Sequence, residues 1–310
     1  MLTTSSRTQT LQVRVPASSA NLGPGFDCMA LALGLYTTVR LSASERLEVV
    51  PIGETLKETP RDSSNYVYES LLEVFERLSR PVPPLRLEIE SDIPLARGLG
   101  SSAAALVAAL IAANVWLESP LSSADLLDLS SFLEGHPDNV GAALYGGAVV
   151  ATFDGSRASC LTLSVPANLG ALVVVPTYAL KTEVARGVLP AHYSRADAVH
   201  ALSHTALLAT ALATGRFEHL AEAMQDRIHQ PYRAPLVKGL PEILEGATRY
   251  GALGAALSGA GPSVLCLFDR EAGTLPTLHA WLTKLLETYG FAASLLELEI
   301  PSSGAEVRWI

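Results

Sequence analysis

The chain has 310 residues, 49% of them hydrophobic and 17% charged. This much apolar material excludes a largely disordered chain, and the length points to two compact units rather than one. A net charge of −9 lacks the basic surplus that binds nucleic acid or an anionic membrane, so local donors would have to hold any anionic ligand.

Met1 to Thr10 is polar and has no apolar signal core. Cys28, Cys160 and Cys266 are odd in number and share no metal-type spacing, which points to a reduced, cytoplasmic setting. Leu11 to Val15 and Leu85 to Glu90 alternate apolar and polar residues, as half-buried strands do. Between them a helix from Tyr66 to Leu78 carries Tyr68, Leu71, Leu72, Phe75 and Leu78 on one face, with Asp62, Ser63 and Ser64 as candidate caps. Gly98 to Leu117 is uncharged, but it is continuously apolar only from Ala103 onward, apart from Asn114. Those fifteen residues rise about 22 Å as a helix, short of the roughly 30 Å of a bilayer core. A buried helix is expected there, not a membrane span.

Ser122 or Ser123 starts a helix over Ala124 to Leu133, and Gly146-Gly147 opens a strand running through Phe153. Ala171 to Pro176 is a buried-strand run. Helices follow around His200 to Ala213, Phe217 to Arg227 and Pro241 to Tyr250, then a strand over Ser263 to Phe268 and a helix over Thr274 to Tyr289. Division near Asn168 gives units 1–167 and 168–310.

The sharpest motif leaves a strand and enters the apolar helix: Pro94, Leu95, Ala96, Arg97, Gly98, Leu99, Gly100, Ser101, Ser102, Ala103, Ala104. Glycines permit close backbone approach, and free N–H groups at a helix start attract anions. Hydroxyls add donors, or a ligand for a hard cation such as Mg²⁺. A Walker loop is excluded because Gly-Lys-Ser/Thr occurs nowhere, and the third glycine of a dinucleotide fingerprint is missing. A phosphate cradle without its own lysine must rely on backbone dipoles and a metal ion. His200 and His204 are four apart on an expected helix, a zinc-compatible spacing, but no third ligand accompanies them.

This loop resembles the nucleotide-phosphate loop of the GHMP kinases. Two further segments resemble that family in order and spacing: Val15-Pro16-Ala17-Ser18-Ser19-Ala20-Asn21-Leu22-Gly23-Pro24-Gly25-Phe26-Asp27, and Gly254 to Ser263 containing Ser258-Gly259-Ala260-Gly261. Ser18-Ser19 replaces the basic residue usual in sugar and mevalonate kinases. Glu134-Gly135-His136-Pro137-Asp138-Asn139, Thr182-Glu183-Val184-Ala185-Arg186 and His229-Gln230-Pro231-Tyr232-Arg233 are similar to segments of the homoserine kinase branch. The resemblance implies an α+β GHMP kinase fold, with a left-handed βαβ crossover in the N-terminal domain and a ferredoxin-like C-terminal domain. It also implies ATP·Mg²⁺-dependent phosphorylation of the L-homoserine hydroxyl on the route to threonine, by a cytoplasmic homodimer.

On the same resemblance, Asn21, Asp27, His136, Asn139, Thr182, Arg186 and Arg233 line the acceptor site, and Ser102, Glu134 and Arg186 are the catalytic set. An amino-acid zwitterion needs an anion and a cation; Asp27 suits its ammonium, and Arg186 with Arg233 its carboxylate. The two arginines could instead face the transferring phosphoryl group. Ser102 and Glu134 resemble the family's Mg²⁺ ligands, Glu134 being otherwise a helix-end charge. Asn65 stands either against adenine or as the cap of the Tyr66 helix. Asn139 stands where mevalonate-type members carry an aspartate base, and an amide takes no proton at neutral pH. His136 could serve as base, but substrate contact is its expected role. The competing readings are a kinase for another small alcohol and a catalytically silent ligand sensor.

Overall fold

The computed structural model describes residues 9–310. Met1 to Thr8, which supplied most of the leader-free reading, lie outside the described residues. Among the described residues no helix is long and apolar enough to cross a membrane.

Two sheets divide the molecule. The first contains β1 (Leu11–Asn21), β2 (Gly25–Ala43), β3 (Glu48–Ile52), β4 (Leu85–Ser91), β5 (Ala148–Phe153) and β6 (Ala158–Leu163). Strand β2 spans the sheet, pairing with β1 along its length, with β5 through Met29–Leu31 and with β4 through Thr37–Ala43. β3 and β4 run parallel, and the helix α1 (Tyr66–Arg77) crosses between them, forming the βαβ unit. Leu11, Val13 and Val15 of β1 point inward in alternation, but from Val15 onward every β1 residue is buried. The strand is covered on both faces there, which a period-2 reading stopping at Val15 cannot register.

Helix α2 (Ser101–Trp116) lies at the centre, apolar on every side and buried over most of its length. Its one polar interior residue, Asn114, is satisfied: its amide donates to the Leu121 carbonyl at 3.0 Å and its Oδ1 accepts the Leu121 N–H at 2.9 Å. Helices α3 (Ser123–Glu134) and α4 (Asp138–Tyr145) follow. Ser122 caps α3 in a reciprocal box with Asp125.

The second sheet is antiparallel, in order β10 (Ala293–Leu298), β7 (Leu169–Pro176), β9 (Val264–Asp269), β8 (Gly254–Leu257). In chain order that is 4-1-3-2, with helices after its first and third strands, which is the ferredoxin-like arrangement. The helical segments between β7 and β8 are α5 (Thr182–Gly187), α6 (Arg195–Thr214), α7 (Leu220–Ala223), α8 (Gln230–Arg233) and α9 (Leu240–Gly246); α10 (Leu275–Tyr289) follows β9. The second sheet starts one residue after Asn168, yet the last strand, β11 (Glu306–Trp309), returns to pair with β1. Sheet membership therefore takes 306–309 out of the expected 168–310 unit.

Two local expectations are corrected. The helix expected over Phe217 to Arg227 ends at Ala223, because the Asp226 carboxylate accepts the N–H groups of Ile228, His229 and Gln230 at 2.7–2.9 Å and starts α8 instead. The cap of α1 is Asn65, whose Oδ1 accepts the Val67 N–H at 3.0 Å, while Asp62 closes a turn on Ser64. The Asn65 amide also donates to the Pro60 carbonyl at 2.7 Å. Asn65→Ala is therefore expected to lower unfolding free energy by about 1–2 kcal/mol, measured by urea denaturation. A change below a few tenths would mean the cap is replaced by water.

Candidate active site

Three stretches distant in sequence meet around the glycine-rich loop. The Ser258 hydroxyl donates to the Gly98 carbonyl at 2.7 Å, Ser18 N–H to Leu99 at 3.1 Å, and Gly259 N–H to Ala20 at 3.1 Å. Gly98 (φ +73°) and Gly100 (φ +66°) are in the left-handed region, and a Cβ on Gly98 would overlap the Ser258 carbonyl oxygen. Here glycine is needed as much for chain-on-chain contact as for ligand approach. Helix α2 starts at Ser101 with no side-chain cap, leaving its first N–H groups available.

The loop residues divide sharply. Ala96, Gly98, Leu99, Gly100, Ser101 and Ser102 line a cavity of about 280 Å³. Pro94 and Arg97 do not, and Ala103 and Ala104 are fully buried inside α2. Arg97 turns away to staple the loop to β7: its Nε donates to the Pro176 carbonyl at 2.9 Å and its Nη2 to that of Thr177.

All seven expected acceptor residues, Asn21, Asp27, His136, Asn139, Thr182, Arg186 and Arg233, line the same cavity. Asn21 is a buried bridge, its amide donating to Gly259 O at 3.0 Å and its Oδ1 accepting Asp27 N–H at 3.1 Å. Asp27 and Arg186, expected at opposite ends of a zwitterion, hold each other in a bidentate pair at 2.7 and 3.0 Å. Opposite charges at that range satisfy one another when nothing lies between them. Arg233 is different: it is 1% exposed and has no carboxylate partner among the described residues. Its Nε donates to Ala185 O at 3.0 Å and its Nη1 to Gly259 O at 3.1 Å. Burial, reinforced by the Arg186 charge, pulls the Arg233 guanidinium down to about 10, so it remains a cation at neutral pH.

Asp138 is almost fully buried and accepts from His136 Nδ1 at 2.6 Å and from Asn139 N–H at 2.7 Å. Burial alone would disfavour the His136 imidazolium, but the Asp138 hydrogen bond and the Asp138, Asp27 and Glu134 charges outweigh it and raise its pKa. Its charge therefore stabilises the fold fully below its unfolded pKa of about 6.5, and that contribution is lost as pH rises through the higher folded value. The Tm difference between wild type and His136→Gln is expected to shrink from pH 6 to pH 8, by about a degree or more. A difference that grows with pH would reverse the sign. The Asn139 amide oxygen accepts the Ser18 hydroxyl at 2.8 Å, so it is anchored as an amide and holds no proton-accepting group toward the cavity.

At the α2 start, the Ser102 hydroxyl donates to Glu134 Oε2 at 3.2 Å and lies 3.2 Å from the Tyr66 hydroxyl. Burial raises the Glu134 carboxyl pKa, offset in part by His136 and Ser102. A half-buried carboxylate beside two hydroxyls is an oxygen donor set that fits a hard dication. Ser101 and Ser102 also border a second, mainly apolar cavity of about 340 Å³, walled by Leu56, Pro60, Val67, Ile89 and Leu95. Asn65 lies on its wall while capping α1.

Sequence reasoning assigned no role to Phe26, Asp138, Tyr66 or the Gly259-Ala260 backbone, all of which border these cavities. Phe26, Asp138 and Gly259-Ala260 lie inside the motifs given above, whereas Tyr66 is marked only as the start of a helix. His200 and His204 each place one ring nitrogen near a backbone carbonyl, of Gln225 and His200 respectively, and among the described residues no third His, Cys, Asp or Glu ligand joins them. The three cysteines are free, with burial pushing Cys28 and Cys160 up to about 11 and Cys266 to about 12, so none is an activated thiolate.

A βαβ unit and a ferredoxin-like sheet closing on a glycine-rich, lysine-free anion loop define a class, and the comparisons name it. The family described as GHMP kinases N terminal domain matches residues 65–147, and that described as GHMP kinases C terminal matches 208–274. The homoserine kinase of Deinococcus radiodurans is 53% identical over 304 residues, covering 98% of this chain and 99% of its own. That of Moorella thermoacetica is 42% identical, covering 95% and 99%. The crystal structure of homoserine kinase from Cytophaga hutchinsonii superposes with a TM-score of 0.86 at 28% identity, covering 99% of each chain. The chain belongs to the homoserine kinase family of GHMP kinases. ATP use follows from that membership.

Proposed function

We propose that the chain transfers the γ-phosphoryl group of ATP to the side-chain hydroxyl of L-homoserine, giving O-phospho-L-homoserine and ADP on the route to threonine. The observation that carries this is the junction of two cavities at Ser101 and Ser102, one mainly apolar, the other walled by Asp27, Arg186 and Arg233. Phosphates bridging the two would lie over the α2 N-terminus. A zwitterion matches the acceptor cavity charge for charge: its ammonium can take Asp27, releasing Arg186 to join Arg233 on its carboxylate. The Asp27–Arg186 pair keeps both charges compensated until then.

In the transfer, the homoserine oxygen forms a bond to the γ-phosphorus while the bond to the β–γ bridging oxygen breaks. The hydroxyl proton passes to a phosphoryl oxygen, since Asn139 cannot accept it. Alignment and charge stabilisation suffice for a loose transition state. Ser102 and Glu134 are the residues that would hold Mg²⁺, which supplies neutralisation of phosphate charge. Arg186, once released from Asp27, would add positive charge beside the acceptor, and His136, fixed by Asp138, would contact it. We extend the proposal to a cytoplasmic homodimer on the analogy of the family alone.

ADP release with ATP and Mg²⁺ over L-homoserine, D-homoserine, L-serine, mevalonate and shikimate tests the assignment. Turnover confined to L-homoserine is expected. Turnover with mevalonate or shikimate would discard the zwitterion site, and ATP binding without turnover on any acceptor would favour a sensor.

A further inference from the structure

Arg233 is tied down by a residue that no part of the reaction described so far uses. His229 is fully buried one helical turn before it, at the entry of α8. The His229 Nε2 lies 2.8 Å from the Gly23 carbonyl, an atom that only accepts, so Nε2 carries the ring proton. Nδ1 is then a lone pair, and it lies 3.2 Å from Arg233 Nη1, an atom that only donates. The two contacts agree on one tautomer. Ala185 and Gly259 take Nε and Nη1, His229 completes Nη1, Nη2 has no hydrogen-bond partner among the described residues, and the side chain lines the acceptor cavity. Phe26 closes the arrangement: its ring stacks on His229 at 5.3 Å and lies 5.4 Å and 5.6 Å from the Arg233 and Arg186 guanidinium carbons, spacing two cations apart.

We infer that His229 is a positioning residue for acceptor recognition, which as a neutral Nε2–H imidazole aims the free edge of Arg233 at the carboxylate of the acceptor. The inference rests on the homoserine reading. Burial and the Arg233 charge lower the His229 pKa against the opposing Asp226 carboxylate 3.5 Å from Nε2, which favours the neutral ring and the lone pair that Arg233 needs.

Two isosteric variants separate aiming from packing. Asparagine places an acceptor near the Nδ1 position and keeps the Arg233 contact; glutamine places a donor near Nε2 and keeps the Gly23 contact. His229→Gln is expected to raise the KM for L-homoserine about tenfold, with the KM for ATP within about twofold, whereas His229→Asn recovers to within about threefold of wild type. Equal effects of the two variants, or parallel losses for ATP, would make His229 a packing residue and overturn the inference. Should neither variant fold, ¹⁵N NMR of the His229 ring in the unaltered protein decides: an unprotonated Nδ1 is expected, and a protonated Nδ1 would overturn the aiming role. Failure of wild type to turn over L-homoserine at all would instead be a failure of the proposed function.

Discussion

Arg233→Leu is expected to raise the KM for L-homoserine by about a hundredfold or more while the KM for ATP stays within about twofold. The guanidinium is a buried cation with no carboxylate at ion-pair distance among the described residues, so its removal withdraws a desolvated charge from the bound carboxylate, not a screened surface one. The variant should also be less stable. Leucine leaves the Ala185 carbonyl and the His229 Nδ1 without their donor, while the Gly259 carbonyl keeps the Asn21 amide, and each unpaired buried acceptor costs about 1–3 kcal/mol. Steady-state kinetics with each substrate varied in turn, together with a melting curve, check both effects. Equal losses for ATP and homoserine would move Arg233 to the phosphates.

Glu134→Gln is expected to depress kcat about a hundredfold and to shift the Mg²⁺ dependence to higher concentration. A carboxylate repels the phosphoryl group on its own, so Glu134 would act by holding Mg²⁺, and in its partly buried setting that pairing counts for more than it would in water. Stability should move the other way. The folded Glu134 pKa is raised, so its ionised form is disfavoured by folding above its unfolded pKa near 4.5, and a neutral amide escapes that penalty. A slower enzyme with an equal or higher Tm is a signature that misfolding does not produce. Unchanged kcat and Mg²⁺ dependence would return Glu134 to the role of a helix-end charge.

How far the sequence carries depends on whether a feature is local. The glycine-rich loop was legible because its spacing is itself the device, and β7 and β9 were legible as apolar runs, whereas the short β8 and the half-exposed β10 were not. Strand β2 was not, because its two halves serve different neighbours and show no single period. β11 was invisible for a related reason: Glu306 to Trp309 becomes a strand only by meeting β1 from the opposite end of the chain. At the site, the pairings were not legible. Asp27 and Arg186 lie 159 positions apart, and Ser18 and Asn139 121 apart, so their mutual satisfaction is a property of the folded chain. The reach of Arg97 away from the cavity is likewise set by where β7 ends, not by the loop. His229 had a visible signal in its four-residue spacing from Arg233, but which neighbour each ring nitrogen meets depends on Gly23, far away in sequence.

The cavity is argued to read both charges of its acceptor. The most direct test is kcat/KM for L-homoserine against 3-amino-1-propanol, which lacks the carboxylate, and 4-hydroxybutyrate, which lacks the amine. All three carry the reacting hydroxyl. Each truncated alcohol is expected to fall by about a hundredfold or more, because it leaves a charged group of the site unpaired. Comparable turnover of either one would contradict the zwitterion site and leave only the phosphate side of the account standing.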